Sequence, residues 1–475
     1  MCADFTEWLY ISPQNDNAPP MEVGQIVFII ILALTFGFAF FKYREIINTI
    51  LLAKKVDLEG PVSSRFKNLF LVAFGQKKMF KNFLPAIFHL FIYVAFLITQ
   101  IKLIEIIIDG VAGSHRILAE PLGGFYTFVV SFIEILSVLA FVATLVFLYR
   151  RNLLTIPRFN KAEMTRWPKL DANIILLAEL VLLVGIFSYN GADIVLQQMG
   201  VAGYPDTGAL VVSSVMGPLL FGGFDQSTLI FIEKAGWWIH ILAVFGFIVY
   251  LPYSKHLHIF FAFPNTWFAK LRPRGRMENM PEIMNEVKSM MGIGEAEEPA
   301  GDMEDIPEFG AKDIFDMDRI NLLGAFSCTE CGRCTAACPA SITGKKLSPR
   351  KIVMDIRDRA EEVSAKLKSG DKKYIREDKR EEDEKLTPEN FDDGRSLFDY
   401  ISSEELHACT TCNACVEACP ILIDPMEPIL KMRRYEILTL SSGPSDWMPM
   451  FTSLENNASP WQMSDERDKW KEDLD

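Results

Sequence analysis

Basic residues are missing from two stretches of this 475-residue chain: neither 1–22 nor 191–228 contains Lys or Arg. Cysteine is equally restricted. Eight of nine cysteines fall in two short tracts, and only Cys2 stands apart, with no role assigned to it. No pair is left for a disulfide framework, so the cysteine-bearing part suits a reducing compartment. A P-loop and a G-x-G-x-x-G after a strand are also absent, which excludes two common nucleotide-binding signatures. Charge is uneven: residues 1–252 are close to neutral, and the acid excess behind the net −13 lies in 253–475. That acidity favours solubility and disfavours nucleic acid as a partner.

Long apolar runs are plentiful in the first half. A bilayer crossing needs about 20 apolar residues, and spans are expected near 23–41, 82–108, 124–149, 172–190 and 229–252. Gly208–Phe224 is apolar but short and interrupted by Gly and Pro, which predicts a re-entrant or surface loop. The acidic leader before the first span argues against a cleavable signal. Loop charge sets the orientation. The loops after spans 1 and 3 are basic (Lys54, Lys55, Arg65, Lys67; Arg150, Arg151, Arg158), whereas the loop after span 2 has only Arg116 and that after span 4 has none. The N-terminus is therefore expected outside and the acidic half inside, at a bacterial or archaeal cytoplasmic membrane.

In the acidic half the tracts read Cys-Thr-Glu-Cys-Gly-Arg-Cys-Thr-Ala-Ala-Cys-Pro and Cys-Thr-Thr-Cys-Asn-Ala-Cys-Val-Glu-Ala-Cys-Pro. C-x-x-C-x-x-C-x-x-x-C-P is the ligand run of a cubane [4Fe–4S] cluster, and in two-cluster proteins the last cysteine of each run serves the other cluster. The expected sets are Cys328, Cys331, Cys334 and Cys419 for one cluster, and Cys409, Cys412, Cys415 and Cys338 for the other. Structural zinc would call for paired Cys-x-x-Cys units instead. Between the tracts, Pro349–Lys368 reads as a helix and Ser369–Asp393 as a solvated excursion. The expected organisation is an external segment 1–22, a membrane domain 23–270, a linker 271–318, a dicluster domain 319–440, and a tail 441–475. That tail carries Trp447, Trp461 and Trp470 and is either disordered or docked on a partner.

Ionisable residues inside spans are functional candidates, because burying them unpartnered is costly. His89 lies in span 2 and His240 in span 5; His258 and His256 follow span 5, and His115 sits in the outer loop. Without a Cys-x-x-Cys-His motif, any haem would be the non-covalent b type. If span 5 stayed helical to its end, the 18 residues from His240 to His258 would separate them by about 27 Å. One haem could not use both. His89 then pairs with His258 toward the inside, and His240 takes an outer haem with His115 as the candidate second ligand. For a quinone that moves protons with electrons, the candidates are Lys255 and His256 inside, favoured, and Glu233, Lys234 and Lys102 outside. Glu134 and Glu179, deep in spans 3 and 4, are candidate proton-route members.

The block Trp-Trp-Ile-His-Ile…Leu-Pro-Tyr-Ser-Lys-His-Leu-His-Ile-Phe-Phe, with Phe-His in span 2, resembles the cytochrome b subunit of respiratory nitrate reductase. It is more similar still to the membrane subunit of heterodisulfide reductase and to electron-transfer-flavoprotein:menaquinone oxidoreductase. The tracts, Cys-Thr-Thr-Cys included, resemble the iron–sulfur subunit of the heterodisulfide reductase family. Together the resemblances cover most of residues 40–440. They imply an all-α membrane protein, a five-helix cytochrome b bundle followed by a cytoplasmic α-helical dicluster ferredoxin domain. His89 and His258 would be ligands of an inner haem b and His240 of an outer one. The pattern expects a second histidine about ten residues after His89, where this chain has Thr99.

The Cys-Cys-Gly motifs of heterodisulfide-type catalytic domains are absent here. The chain is thus expected to be a subunit that links a separate flavoprotein or Cys-Cys-Gly-type partner to menaquinone or another quinone, through two [4Fe–4S] clusters and one or two haems b. A haem-free membrane anchor for a ferredoxin-like module, and the electron-input subunit of an ion-translocating complex, are the alternative classes.

Overall fold

The computed structural model describes residues 23–273, 276–277, 279–293, 308–379, 384–457, 459–460 and 471. The segment 1–22 with Cys2, and Trp461 and Trp470 of the tail, lie outside the described residues. Among the described residues regular structure is helical, and β-type pairing is confined to the isolated bridges Lys54–Asp318 and Ile375–Phe391. The chain divides into two compact units, residues 1–46 with 79–257, and residues 47–78 with 258–475.

The five apolar runs form five helices long enough to cross a membrane: Val23–Leu51, Phe83–Ala112, Gly124–Asn152, Trp167–Gln198 and Gln226–Tyr253. Large apolar side chains such as Leu34, Phe41, Leu84 and Phe128 point outward and are strongly exposed, as a helix surrounded by lipid tails requires. The first span outlasts the sequence expectation by ten residues. Nothing in Lys42–Leu51 breaks a helix, and hydropathy marks where a segment leaves the hydrocarbon, not where its hydrogen bonds end. The fifth span begins at a capped end, with the Asp225 carboxylate accepting from Ser227 N and Thr228 N.

The fourth and fifth spans pack backbone to backbone because glycines face each other. A Cβ on Gly236 would sit 2.6 Å from Tyr189 N and 2.8 Å from Gly185 O, and one on Gly185 would sit 2.9 Å from His240 N. Small residues at such crossings let dispersion contacts replace the hydrophobic drive that lipid cannot supply. Gly208–Phe224 supplies a nine-residue helix, Ser213–Phe221, packed on the fourth span, so it is no sixth crossing.

In the second unit, the helices Arg319–Ser327, Pro349–Ser369 and Met426–Arg434 frame the cysteine tracts. The expected helix at 349–368 is present, started by Pro349 behind Ser348, whose hydroxyl accepts from Lys351 N. Two expectations need correction. The supposed linker contributes core, since Ala311, Ile314 and Met317 are fully buried, and residues 47–78 join the same unit. The charged excursion is anchored too. Arg359, fully buried, donates Nε to Asp313 Oδ1 at 3.0 Å and Nη1 to Asp393 Oδ2 at 2.7 Å. Ile375, within the excursion itself, is buried in its bridge with Phe391. A buried guanidinium must be paired, so charge that looks like a solvated face in sequence here closes the fold. Asp393→Ala should therefore lower the unfolding free energy by about 3–5 kcal/mol. Denaturant titration followed by cluster absorbance measures it, and an effect below about 1 kcal/mol would reject the anchoring role.

Part of the tail is docked on this unit. Trp447 stacks edge-on against His407 at 5.0 Å, and the His407 ring lies 2.8 Å from Glu436 Oε2.

Candidate functional site

The two tracts repeat in backbone as well as in sequence. Two residues after the first cysteine of each stands a non-glycine residue with positive φ, Glu330 at 51° and Thr411 at 54°. Two further on stand Gly332 at 70° and Asn413 at 61°. Left-handed residues cost about 1–2 kcal/mol each outside glycine, and here they turn successive cysteines toward a common point. The turns also aim backbone N–H groups at sulfur: Glu330 N lies 3.4 Å from Cys328 Sγ, Thr411 N 3.4 Å from Cys409 Sγ, and Ile423 N 3.2 Å from Cys419 Sγ. Each tract then enters a five-residue helix, Arg333–Ala337 or Ala414–Ala418, that ends at the Cys-Pro step; the two helices pack on each other.

This pairing decides which sulfurs meet. Cys338 from the first tract lines one cavity with Cys409, Cys412 and Cys415 from the second. Cys419, in turn, lies within the electrostatic reach of Cys328, Cys331 and Cys334. Burial is the main force raising these thiols, with Cys328 pushed up to about 12, Cys415 to about 12 and Cys419 to about 11. Neighbouring cysteines push the same way. A set of buried sulfurs that repel one another as thiolates is a site completed by a cationic centre, and it fits an iron–sulfur cluster. All eight are free thiols, so none is spent on a disulfide. Arg433 braces the second tract by donating to the Leu406 carbonyl at 2.9 Å and to the Cys409 carbonyl at 2.5 Å. Lys78 reaches the Val416 carbonyl at 3.4 Å.

In the first unit the histidines part company. His240 is buried, and its Nδ1 lies 3.0 Å from the Leu182 carbonyl. The carbonyl can only accept, so Nδ1 carries the proton and Nε2 is the lone-pair nitrogen, which is the tautomer of a metal-ligating histidine. His240 fits a haem ligand. His115 does not fit as placed. Its Nε2 lies 2.8 Å from Asp193 Oδ1 and its Nδ1 3.8 Å from Glu233 Oε1. Burial works against protonation, but Asp193 and Glu233 outweigh it and hold the pKa above the usual histidine value. A protonated ring offers iron no lone pair. The sequence could not reveal this, because Asp193 and Glu233 are 78 and 118 positions away. The premise behind the pairing also changes, since the helix of span 5 ends before Ser254, which is extended, and His258 opens a new helix, His258–Phe268. The axial separation of about 27 Å therefore does not apply.

The polar candidates are engaged as well. Arg116, fully buried, bonds Asp193 Oδ2 at 2.7 Å, Asn190 Oδ1 at 3.0 Å and Tyr126 Oη at 3.1 Å. Lys102 pairs with Glu105 at 2.5 Å and Tyr126 at 3.0 Å, and Tyr204 Oη donates to Glu233 at 3.3 Å. Lys255 donates to the Pro168 carbonyl at 2.6 Å and lies 3.7 Å from Asp171. The His256 ring stands edge-on to Phe247 at 6.1 Å. Glu134 has a structural partner that sequence reading missed: it accepts from Val212 N at 2.9 Å and Ser213 N at 3.1 Å, capping the Ser213–Phe221 helix.

Comparison with known proteins agrees with the cysteine chemistry. The model of the 4Fe-4S dicluster domain family matches residues 327–423, so the chain carries such a domain and its cysteines hold two 4Fe-4S clusters. The chain is 26% identical over 462 residues to a protein of Bacillus subtilis named "Probable iron-sulfur-binding oxidoreductase FadF", covering 94% of this chain and 61% of that one. It is 26% identical over 454 residues to the "EtfAB:quinone oxidoreductase" of Syntrophomonas wolfei, covering 93% and 58%. A "Probable membrane-anchored ferredoxin" of Chromohalobacter salexigens is 36% identical over 125 residues, 26% of this chain and 18% of that protein. The chain thus spans about three fifths of the length of the first two relatives. No solved structure matches it. The molecule is a membrane-anchored iron–sulfur electron-transfer protein.

Proposed function

We propose that the chain exchanges electrons between a redox partner on the cytoplasmic side and the quinone pool. The partner is a flavoprotein or a Cys-Cys-Gly-type module, and menaquinone or another quinone is the membrane substrate. The observation that carries the reading is the pair of four-cysteine groups, each completed from the opposite tract, in a chain with five membrane-length helices. The bound clusters supply one-electron carriage. The chain's own part is to bring the two cysteine sets together, donate N–H groups to the sulfurs, and exclude water from Cys338, Cys415 and Cys419. Similarity along nearly the whole chain to a protein named as an EtfAB:quinone oxidoreductase supports both ends of this path.

In this reading Cys328, Cys331, Cys334 and Cys419 ligate one cluster, and Cys409, Cys412, Cys415 and Cys338 the other. His89 and His258 are ligands of a haem b toward the cytoplasm. His240, with the tautomer its bond to Leu182 imposes, is a ligand toward the outside. The N-terminus lies outside. Quinone reacts near Lys255 and His256, where His256 supplies a titratable group for the accompanying proton. The test uses the intact chain with its co-purifying proteins in proteoliposomes, and follows cluster and haem reduction by a menaquinol analogue. Reduction should slow by about 100-fold in His256→Ala and little in Glu233→Gln. The reverse pattern would move the site outward.

A haem-free anchor is the second reading. The commitment of His115 to two carboxylates favours it, because the outer haem then has no second ligand from this histidine. If no quinol reduces the protein and the visible spectrum lacks haem, the anchor reading holds instead.

A further inference from the structure

One helix of the cluster-bearing unit is inside out. Val62–Asn68 continues as a wider turn through Leu69–Phe74. Its charged Arg65 is 4% exposed, whereas Val62 is 59%, Phe66 47%, Phe70 58% and Phe74 44% exposed. Arg65 is turned inward for a reason: Nη1 donates to the Trp267 carbonyl at 2.8 Å, which satisfies the end of the His258–Phe268 helix. The two helices are joined on their outer faces by rings, Phe66 on Trp267 and Phe74 on Phe263, both at 4.8 Å. Phe66, Phe70 and Phe74 stack in turn, at 6.3 and 5.8 Å, so the rings run on without a break. A continuous patch of this kind on a described surface marks contact with something other than water.

Beside the patch opens a cleft of about 250 Å3 within the same unit, and Asn68 of the inside-out helix lines it. Lys78, Lys270, Arg272, Arg276, Lys431 and Arg434 also line it. Against these six cations stand Asp424 and Glu427 in the wall, and Asp318, which pairs with both Lys270 and Lys431. The balance is three positive charges. The bilayer is close by covalent connection. The inside-out helix lies between spans that end at Leu51 and begin at Phe83, and the His258–Phe268 helix starts five residues after the fifth span ends at Tyr253.

We propose that the aromatic face beds in the membrane surface and that the cleft holds the phosphate of an anionic phospholipid. Apolar rings at the depth of the headgroups, flanked by Lys and Arg, are the two attractions that hold a helix flat on a bilayer. The lipid headgroup becomes part of the wall that also includes Asn413 and Val416 of the second cysteine tract, so the lipid fixes the electron-transfer unit against the bilayer. The proposal needs membrane residence and the cluster unit only, and stands apart from the haem and quinone reading.

The test takes the full cluster-loaded chain from vesicles of phosphatidylcholine mixed with phosphatidylglycerol and counts retained lipids by native mass spectrometry. The chain should retain phosphatidylglycerol preferentially. The Arg272→Gln/Arg276→Gln variant should lose that preference with its iron content unchanged, and Phe70→Ser/Phe74→Ser should weaken the preference as well, the lipid bound around the five spans remaining. Lys372→Gln/Lys373→Gln, which removes two charges elsewhere on the unit, should behave as the parent. Preference that survives the arginine changes, or falls equally with the Lys372/Lys373 pair, would overturn the site. Inorganic phosphate binding the cleft in lipid-free protein, with no phosphatidylglycerol retained from vesicles, would make it a free-phosphate site and overturn the lipid assignment.

Discussion

Cys338→Ala will cost the protein about half of its cluster iron, roughly four of eight atoms, and the half that goes will belong to the second tract. Cys338 shares its cavity with Cys409, Cys412 and Cys415, not with its own tract. The decisive measurement is a pair of double variants. Cys338→Ala with Cys409→Ala should lose no more iron than either change alone, since both strike one cluster. Cys338→Ala with Cys334→Ala should lose nearly all of it. Paramagnetic resonance of the reduced protein gives an independent readout, because a surviving single cluster loses the magnetic interaction with its neighbour. If the two double variants exchange their outcomes, each tract ligates its own cluster and the crossed assignment is wrong.

The second large effect is on haem. His89→Ala or His258→Ala should remove most b-type absorbance from detergent extracts, and His240→Ala a separate fraction. His115→Ala should leave absorbance intact, because its ring is held between Asp193 and Glu233. Its effect should fall on stability, by about 1–3 kcal/mol, because Asp193 loses the histidine but keeps Arg116 as its partner. Loss of the His240-dependent fraction in His115→Ala would show that the histidine leaves its carboxylates to bind iron. Absence of haem in every preparation from a haem-sufficient host would reject the cytochrome reading.

Much of the chemistry was legible along the chain because its signals are local. Three thiolates at spacing three, then Cys-Pro, require only that a short loop wrap a corner of a cube. Five apolar runs require only that each helix satisfy its own backbone in lipid. Both readings depend on neighbours within one segment. Even so, hydropathy misplaced the ends of the first and fourth helices, which continue through polar residues to Leu51 and Gln198.

Sequence by itself thus determined the helical membrane class and the cysteine ligands as a set. Tertiary structure decided everything that rests on partners far away in sequence. It showed that Glu134 caps a helix 79 positions on, and that Asp313 and Asp393 close a buried pair around Arg359. It also turned the phenylalanines of Val62–Phe74 outward while Arg65 faces in. The physical reason is the same in each case. A charge or an aromatic ring is defined by what lies within a few ångströms of it, and residues far apart in sequence are brought that close only when the helices pack.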